Sequence, residues 1–143
     1  MNSSKLHAPK VLIVDDDATT IRIAQAICES LNYAVAVACN GRQALDLYEA
    51  AQKAAAPIDI IFMDLQMPMM GGYEATIEIR QTEEENNLKK VPIVAITGTV
   101  KQDNQHKCLE IGMDDYRQKP YTTEMVKTLI ARHVTCENDA DFE

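Results

Sequence analysis

The chain has no surplus of basic charge, no paired cysteine motif and no long apolar run. Its 14 Lys and Arg stand against 22 Asp and Glu, for a net charge of −8. A general nucleic-acid binder needs a basic face, so direct nucleic-acid binding is not expected. Four cysteines are present (Cys28, Cys39, Cys108, Cys136), none in a C-x-x-C pair and none at zinc-site spacing. They read as reduced thiols of an intracellular, cytoplasmic protein, with Cys28 and Cys39 expected in the core. The opening MNSSKLHAPK has no apolar centre and is not a secretory signal. The longest uninterrupted apolar run, Ala34 to Cys39, is far too short to span a membrane, and no membrane partner is expected.

What is present fits one soluble domain of 143 residues, 46% hydrophobic and 25% charged. Residues 1–9 read as a flexible tail, 10–134 as the folded domain and 135–143 as an acidic tail. Apolar runs predict strands at Lys10–Val14, Tyr33–Ala38, Ile58–Met63, Val91–Ile96 and, shorter, Asp115–Gln118. Their lack of alternation suits strands buried on both faces. Helices are predicted over 18–31, 42–54, 73–84, 101–111 and 122–134. Ala24, Ile27 and Leu31, widened by Ile23, form the inner stripe of the first. Ala44, Leu47, Tyr48 and Ala51 form that of the second, which Asn40-Gly41 caps. Tyr73, Ile77 and Arg80 fall in register on the third. The fourth is polar, with Gly112 as its cap; Met125, Val126, Leu129, Ile130 and His133 share a face of the fifth. Five strand–helix alternations imply an α/β fold, an open doubly wound parallel sheet of (βα)5 type.

The stretch IIFMDLQMP carries the strongest functional signal. An apolar run ends abruptly in Asp64, and Pro68 is read as stopping the strand. In such sheets the working site lies beyond the carboxyl ends of the strands. There the first strand delivers Asp15 and Asp16, the third Asp64, the fourth Thr97 and the fifth Lys119. Asp17 reads as a helix cap. Clustered carboxylates repel one another, and a hard divalent cation such as Mg²⁺ relieves them. With the metal neutralising an incoming phosphoryl group, Asp64 can act as nucleophile and form an acyl phosphate. Lys119 and Thr97 can then meet the phosphoryl oxygens.

The order VLIVDDD, IIFMDLQMPMMGGYEAT, VPIVAITGT and DDYRQKP resembles the receiver domain of two-component response regulators, over about residues 10–134. QMPMMGGYEAT is similar to receivers of hybrid histidine kinases and phosphorelays. The resemblance implies a flavodoxin-like strand order of 2-1-3-4-5. It implies that Asp64 is the phosphoacceptor, with Thr97 and Lys119 completing the catalytic set. The metal, Mg²⁺ with Mn²⁺ as an acceptable substitute, would be held by Asp15, Asp16, Asp64 and the backbone carbonyl of Gln66. Thr97 and Tyr116 would be the switch pair, and Gln66 and Gly98 would govern access to the phosphoryl site. The implied partner is a histidine kinase or a histidine-phosphotransfer domain. A homodimer through the fourth helix, fifth strand and fifth helix is compatible with it. The expected role is a phosphorylation-dependent signalling switch rather than a turnover enzyme.

Gly71 stands where the family often has Asp, which implies a looser loop there, and Gly98 stands where Ala is common, which implies wider access to the acyl phosphate. Arg117 and Gln118 are more polar than is usual for that strand. One rival reading is an enzyme. Asp15, Asp17 and Thr19 spell D-x-D-x-T, which resembles the first motif of haloacid-dehalogenase-type phosphatases, with Asp15 as nucleophile. A receiver-like interaction module without phosphorylation would lack a site residue, yet Asp15, Asp16, Asp64, Thr97 and Lys119 are all present.

Overall fold

The computed structural model describes residues 8–67, 70–98 and 102–134, without the side chains of 102 and 103. The acidic tail, nearly all of the N-terminal tail and Pro68 as strand stop lie outside the described residues. Ten elements alternate along the chain: β1 (Lys10–Val14), α1 (Ala18–Ser30), β2 (Ala34–Ala38), α2 (Gly41–Lys53), β3 (Ile60–Asp64), α3 (Gly72–Glu85), β4 (Ile93–Thr97), α4 (Gln102–Glu110), β5 (Asp115–Gln118) and α5 (Thr123–His133). The strands pair in parallel in the order β2-β1-β3-β4-β5. This is the expected doubly wound α/β fold.

The apolar strands are buried because helices cover both faces of the sheet. Leu12, Val14, Ile61, Met63, Ile93 and Ala95 point to one side and pack with Tyr48 of α2 and Ile79 of α3. Val11, Ile13, Ile60, Phe62, Val94 and Ile96 point to the other and pack with Ala24 and Cys28 of α1 and Val126 and Leu129 of α5. The two sets alternate residue by residue along each strand, as a pleated backbone requires. Among the described residues no helix is long and apolar enough to cross a membrane.

Four expectations on packing are corrected. Ile23 is 45% exposed, because the inner face of α1 is set by Ala24 and Cys28. Ile77 is 42% exposed; α3 turns Ala75, Thr76, Ile79 and Glu83 inward instead. Leu45 rather than Leu47 is fully inside on α2. Cys39 is exposed, since it follows the last residue of β2 at the open end of the sheet. The third and fourth strands also begin two residues later than predicted.

Two glycines are fixed by geometry. Gly112 follows α4 with φ +108, a left-handed conformation that favours glycine. Gly72 starts α3 so close to the end of β3 that a Cβ there would lie 2.3 Å from the carbonyl oxygen of Asp64.

An ion network built around buried Glu83 closes the opposite, amino-terminal end of the sheet. Glu83 is only 3% exposed. Its carboxylate accepts from Arg80 Nη1 at 2.8 Å and from the backbone N–H of Val91 at 2.7 Å. Arg80 also donates to the carbonyl of Gly112 and to Asp114 Oδ2, both at 2.9 Å. Asp114 Oδ2 in turn accepts from the N–H of Ile93 at 2.9 Å. Removing the Glu83 carboxylate strips the buried Val91 N–H of its acceptor and takes one of two carboxylates from Arg80, which keeps Asp114; a loss of this kind costs about 1–3 kcal/mol. Glu83→Ala is therefore expected to lower stability by about 2 kcal/mol in urea denaturation, and Glu83→Gln by less. An unchanged urea midpoint for Glu83→Ala would show that the network does not hold α3 to β4.

Candidate functional site

The site grows out of the carboxyl ends of β1, β3, β4 and β5. β1 runs straight into Asp15, whose backbone N–H donates to the carbonyl of Ala38 at 3.1 Å. That bond carries the β1–β2 ladder one residue further and holds Asp15 wholly buried. Asp16 follows, exposed. Asp17 leaves the cluster: it is the N-cap of α1, accepting from the N–H and hydroxyl of Thr20 at 2.9 and 2.7 Å. These bonds pull its carboxyl below the usual carboxylate range. The N–H of Asp17 donates to Asp15 Oδ1 at 2.9 Å, which orients the Asp15 carboxylate.

Asp64 is the last residue of β3 and 4% exposed. Oxygen atoms of Asp15, Asp16 and Asp64 all lie within 4.8 Å of one another. Lys119, just past β5, enters this cluster, with Nζ 2.8 Å from Asp15 Oδ2 and 3.6 Å from Asp64 Oδ2. Asp15 is thus its nearer partner. Burial favours a neutral amine, but Asp15 and Asp64 outweigh it and raise the Lys119 pKa, keeping the cation. Asp64 moves the other way. Burial first, then the charge of Asp15, push its carboxyl from 3.8 up to about 6, against the opposing pull of Lys119 and the N–H of Gln66. The Gln66 bond is long, 3.4 Å, so it does little to hold the charge.

The remaining predicted residues surround this group. Thr97 ends β4, is 2% exposed, and its carbonyl accepts from the N–H of Lys119 at 2.7 Å. Gly98 and Gln66 are exposed at the same edge of the sheet. Tyr116 lies within β5 and is already buried, at 8% exposure, against the α2–α3 side of the core. The structure brings Asp15, Asp16, Asp64 and Lys119 into one cluster and sets Thr97, Gly98 and Gln66 on its rim. The role of Gly72 beside Asp64 was not read from the sequence, where Gly71-Gly72 looks like any loop.

The donor set fits a hard divalent cation. Three carboxylates converge on one point, only one lysine balances them among the described residues, and all the side-chain donors are oxygen. The arrangement can hold such an ion, receive an anionic group between it and Lys119, and present an Asp64 oxygen as nucleophile.

The sequence matches the Response regulator receiver domain family over residues 11–131. It is 31% identical over 138 residues to hybrid signal transduction histidine kinase I of Dictyostelium discoideum, covering 94% of this chain and 8% of that protein. The chain therefore spans a small part of that kinase's length. Its fold is similar to that of the receiver domain of sensor histidine kinase PA1611 from Pseudomonas aeruginosa PAO1, which has a magnesium ion coordinated in its active-site cleft. The TM-score is 0.76 at 31% identity, over 89% of this chain and 98% of that one. It is also similar to a chain of the Saccharomyces cerevisiae co-crystal of the histidine phosphotransfer protein Ypd1 with the receiver domain of its downstream response regulator Ssk1. There the TM-score is 0.80 at 28% identity, over 89% of each chain.

The phosphatase reading of Asp15, Asp17 and Thr19 is overturned. Asp17 is committed to capping α1, Thr19 is exposed on that helix, and the family match accounts for the whole fold. With sheet order, acidic cluster and sequence match in agreement, this chain belongs to the response regulator receiver domain family.

Proposed function

We propose that the chain is a phosphorylation-dependent signalling switch. Asp64 accepts a phosphoryl group from a phosphohistidine of a histidine kinase or a histidine-phosphotransfer protein. The observation that carries this reading is the meeting of Asp15, Asp16 and Asp64 around the one ammonium of Lys119. Asp15, Asp16, Asp64 and the Gln66 carbonyl would hold Mg²⁺, or Mn²⁺ in its place. The ion supplies charge neutralisation for the incoming phosphoryl oxygens.

An Asp64 oxygen attacks phosphorus as the nitrogen–phosphorus bond breaks. The departing imidazole keeps the electron pair and takes a proton from water. Lys119 turns from Asp15 toward the phosphoryl oxygens, a short move for a lysine already 3.6 Å from Asp64. The Thr97 hydroxyl moves toward the same oxygens, and Tyr116 holds its buried position behind it. The surface of α4, β5 and α5 changes as the population shifts between two conformers. The chain takes part in its own phosphorylation without acting as a turnover enzyme. Gly98 leaves the rim open, since a Cβ there would meet nothing within 4 Å. Water therefore has access to the acyl phosphate. A cytoplasmic setting belongs to this reading, supported by the free thiols of Cys28, Cys39 and Cys108.

With acetyl phosphate and Mg²⁺, intact-mass spectrometry is expected to show one phosphoryl adduct on the wild type and none on Asp64→Asn. An undiminished adduct on Asp64→Asn would refute the assignment.

Proton and metal compete for Asp64. The folded carboxyl has its pKa raised from 3.8 to about 6, so the folded chain holds this proton more tightly than the unfolded chain. The stability it contributes is present at low pH and is lost as pH rises from 3.8 to about 6. In EDTA at pH 7.5, Asp64→Asn is expected to be more stable than wild type by about 2 kcal/mol. The gap should close below pH 4, within the same 3.8-to-6 window, in denaturant titrations. Mg²⁺ affinity should fall as pH drops below about 6, by up to tenfold per unit. A flat Mg²⁺ affinity from pH 5 to 8 would contradict this competition.

Ile23 is exposed on α1, the helix that follows the acidic pair, beside half-buried Ile27, and would be an apolar contact for a docking donor. Ile23→Asp is expected to slow transfer from a histidine-phosphotransfer protein about tenfold, with acetyl-phosphate labelling unchanged. Equal loss with both donors would assign Ile23 to the fold instead.

A further inference from the structure

Gly41 opens α2 and is buried there. A Cβ added to it would lie 2.5 Å from the carbonyl oxygen of Met70, 2.8 Å from Met70 Cγ and 3.0 Å from the carbonyl oxygen of Gly71. Its N–H is one of those that a helix start leaves without an intrahelical partner, and it donates to the same Met70 carbonyl at 2.8 Å. The start of α2 is thus in direct backbone contact with the segment that leads from β3 into α3.

That segment reaches Asp64 by two routes. Gly72 comes next in the chain, and a Cβ on it would lie 2.3 Å from the Asp64 carbonyl oxygen. Gly71 runs alongside Leu65, whose carbonyl oxygen would be 3.6 Å from a Cβ on Gly71. Leu65 leads into Gln66, whose N–H donates to Asp64 Oδ1 at 3.4 Å. In the contact with Gly41 the helix is the fixed partner. Ala44, Leu45, Tyr48 and Ala51 anchor α2 in the core, and Asn40 caps it, accepting from the N–H of Gln43 at 2.9 Å. The segment has less to hold it, since Met70 is only partly buried and Gly71 has no side chain to pack. Bulk added at Gly41 is therefore taken up by Met70 and Gly71 rather than by the helix.

We propose that Gly41 is a positioning residue for the metal site. Its bare Cα and its N–H together seat the Met70–Gly71 backbone against α2, and this holds the segment that carries Gln66 in place beside Asp64. The inference rests on the reading of Asp64 and the Gln66 carbonyl as metal ligands.

The test is a Mg²⁺ titration followed by amide NMR at pH 7.5, with a urea midpoint for each protein, on the full chain. Wild type, Gly41→Ala, Met70→Ala and Glu83→Ala are compared. Alanine forms helix better than glycine, so Gly41→Ala adds bulk with no loss of helix propensity. It is expected to bind Mg²⁺ about tenfold more weakly, the lower end of the loss seen when groups that orient a metal's ligands are changed. Before metal is added, its amide shifts should extend past Met70 and Gly71 to Leu65, Gln66 and Asp64. Glu83→Ala, which loosens the opposite end of the sheet, should lower the urea midpoint and leave Mg²⁺ affinity at the wild-type value. Met70→Ala removes the side chain seated on Gly41 and adds no bulk. It should also weaken Mg²⁺ binding, to a smaller degree, and it decides the matter where Gly41→Ala does not fold. Wild-type affinity in Gly41→Ala, amide shifts that stop at Gly71, or an equal loss in Glu83→Ala would each overturn the inference. Wild-type affinity in Met70→Ala would do so where Gly41→Ala does not fold. A wild type that binds no Mg²⁺ would instead overturn the metal reading, and this inference with it.

Discussion

The organising constraint is an excess of negative charge held where the fold cannot dissipate it. Asp15 is wholly buried and Asp64 nearly so, and one lysine stands against three carboxylates. Burial opposes the ionisation of Asp64, and the like charge of Asp15 adds to the penalty. Asp64 carries the result, with a carboxyl raised to about 6. The core offsets that cost. Ile60, Ile61, Phe62 and Met63 are fully buried ahead of Asp64, and their packing fixes where β3 ends. The excess is relieved by positive charge brought in from outside: a cation or a proton.

The two ends of the sheet follow opposite rules. At the amino end, Arg80, Glu83 and Asp114 satisfy one another and the backbone of β4. At the carboxyl end the acids outnumber their partners. The first arrangement suits a rigid joint between α3, β4 and the turn after α4. The second suits a site that answers to ligands. A single strand such as β4 spans both, with Ile93 tied to Asp114 at one end and Thr97 at the other. Movement at Thr97 is therefore measured against a fixed base.

Much of the fold was legible because a parallel sheet covered on both faces demands continuous apolar runs, and KVLIV and IIFMD are such runs. The site was legible for a related reason: acids that terminate buried runs have no packing role to hide behind. Asp17 read as a cap and is one. Helix faces were harder. Spacings of three and four allow two adjacent stripes, and the sequence favours Ile23 and Ile77 where the structure buries Ala24, Cys28 and Ile79. On α1 the small Ala24 and Cys28 take the inner face, whereas on α3 it is Ile79, two positions beyond Ile77. Cys39 misled because hydrophobic character says nothing of a strand's end. The Arg80–Glu83–Asp114 network was invisible, since its members are 3 to 34 residues apart. Gln118 reads as unusually polar, but only coordinates could show that its Nε2 donates to the carbonyl of Gly98.

The close approach of Gly72 to Asp64 has a directional consequence. With α3 seated hard against the last peptide of β3, Asp64 has a wall behind it. A group added to its carboxylate cannot push the strand backwards. The displacement has to be taken up by whatever is free to yield: the lysine side chain, the Thr97–Gly98 peptide and the edge strand beside it. On the proposed reading of Asp64, the effect of phosphorylation is steered toward the flank of β4 and β5 rather than toward α3.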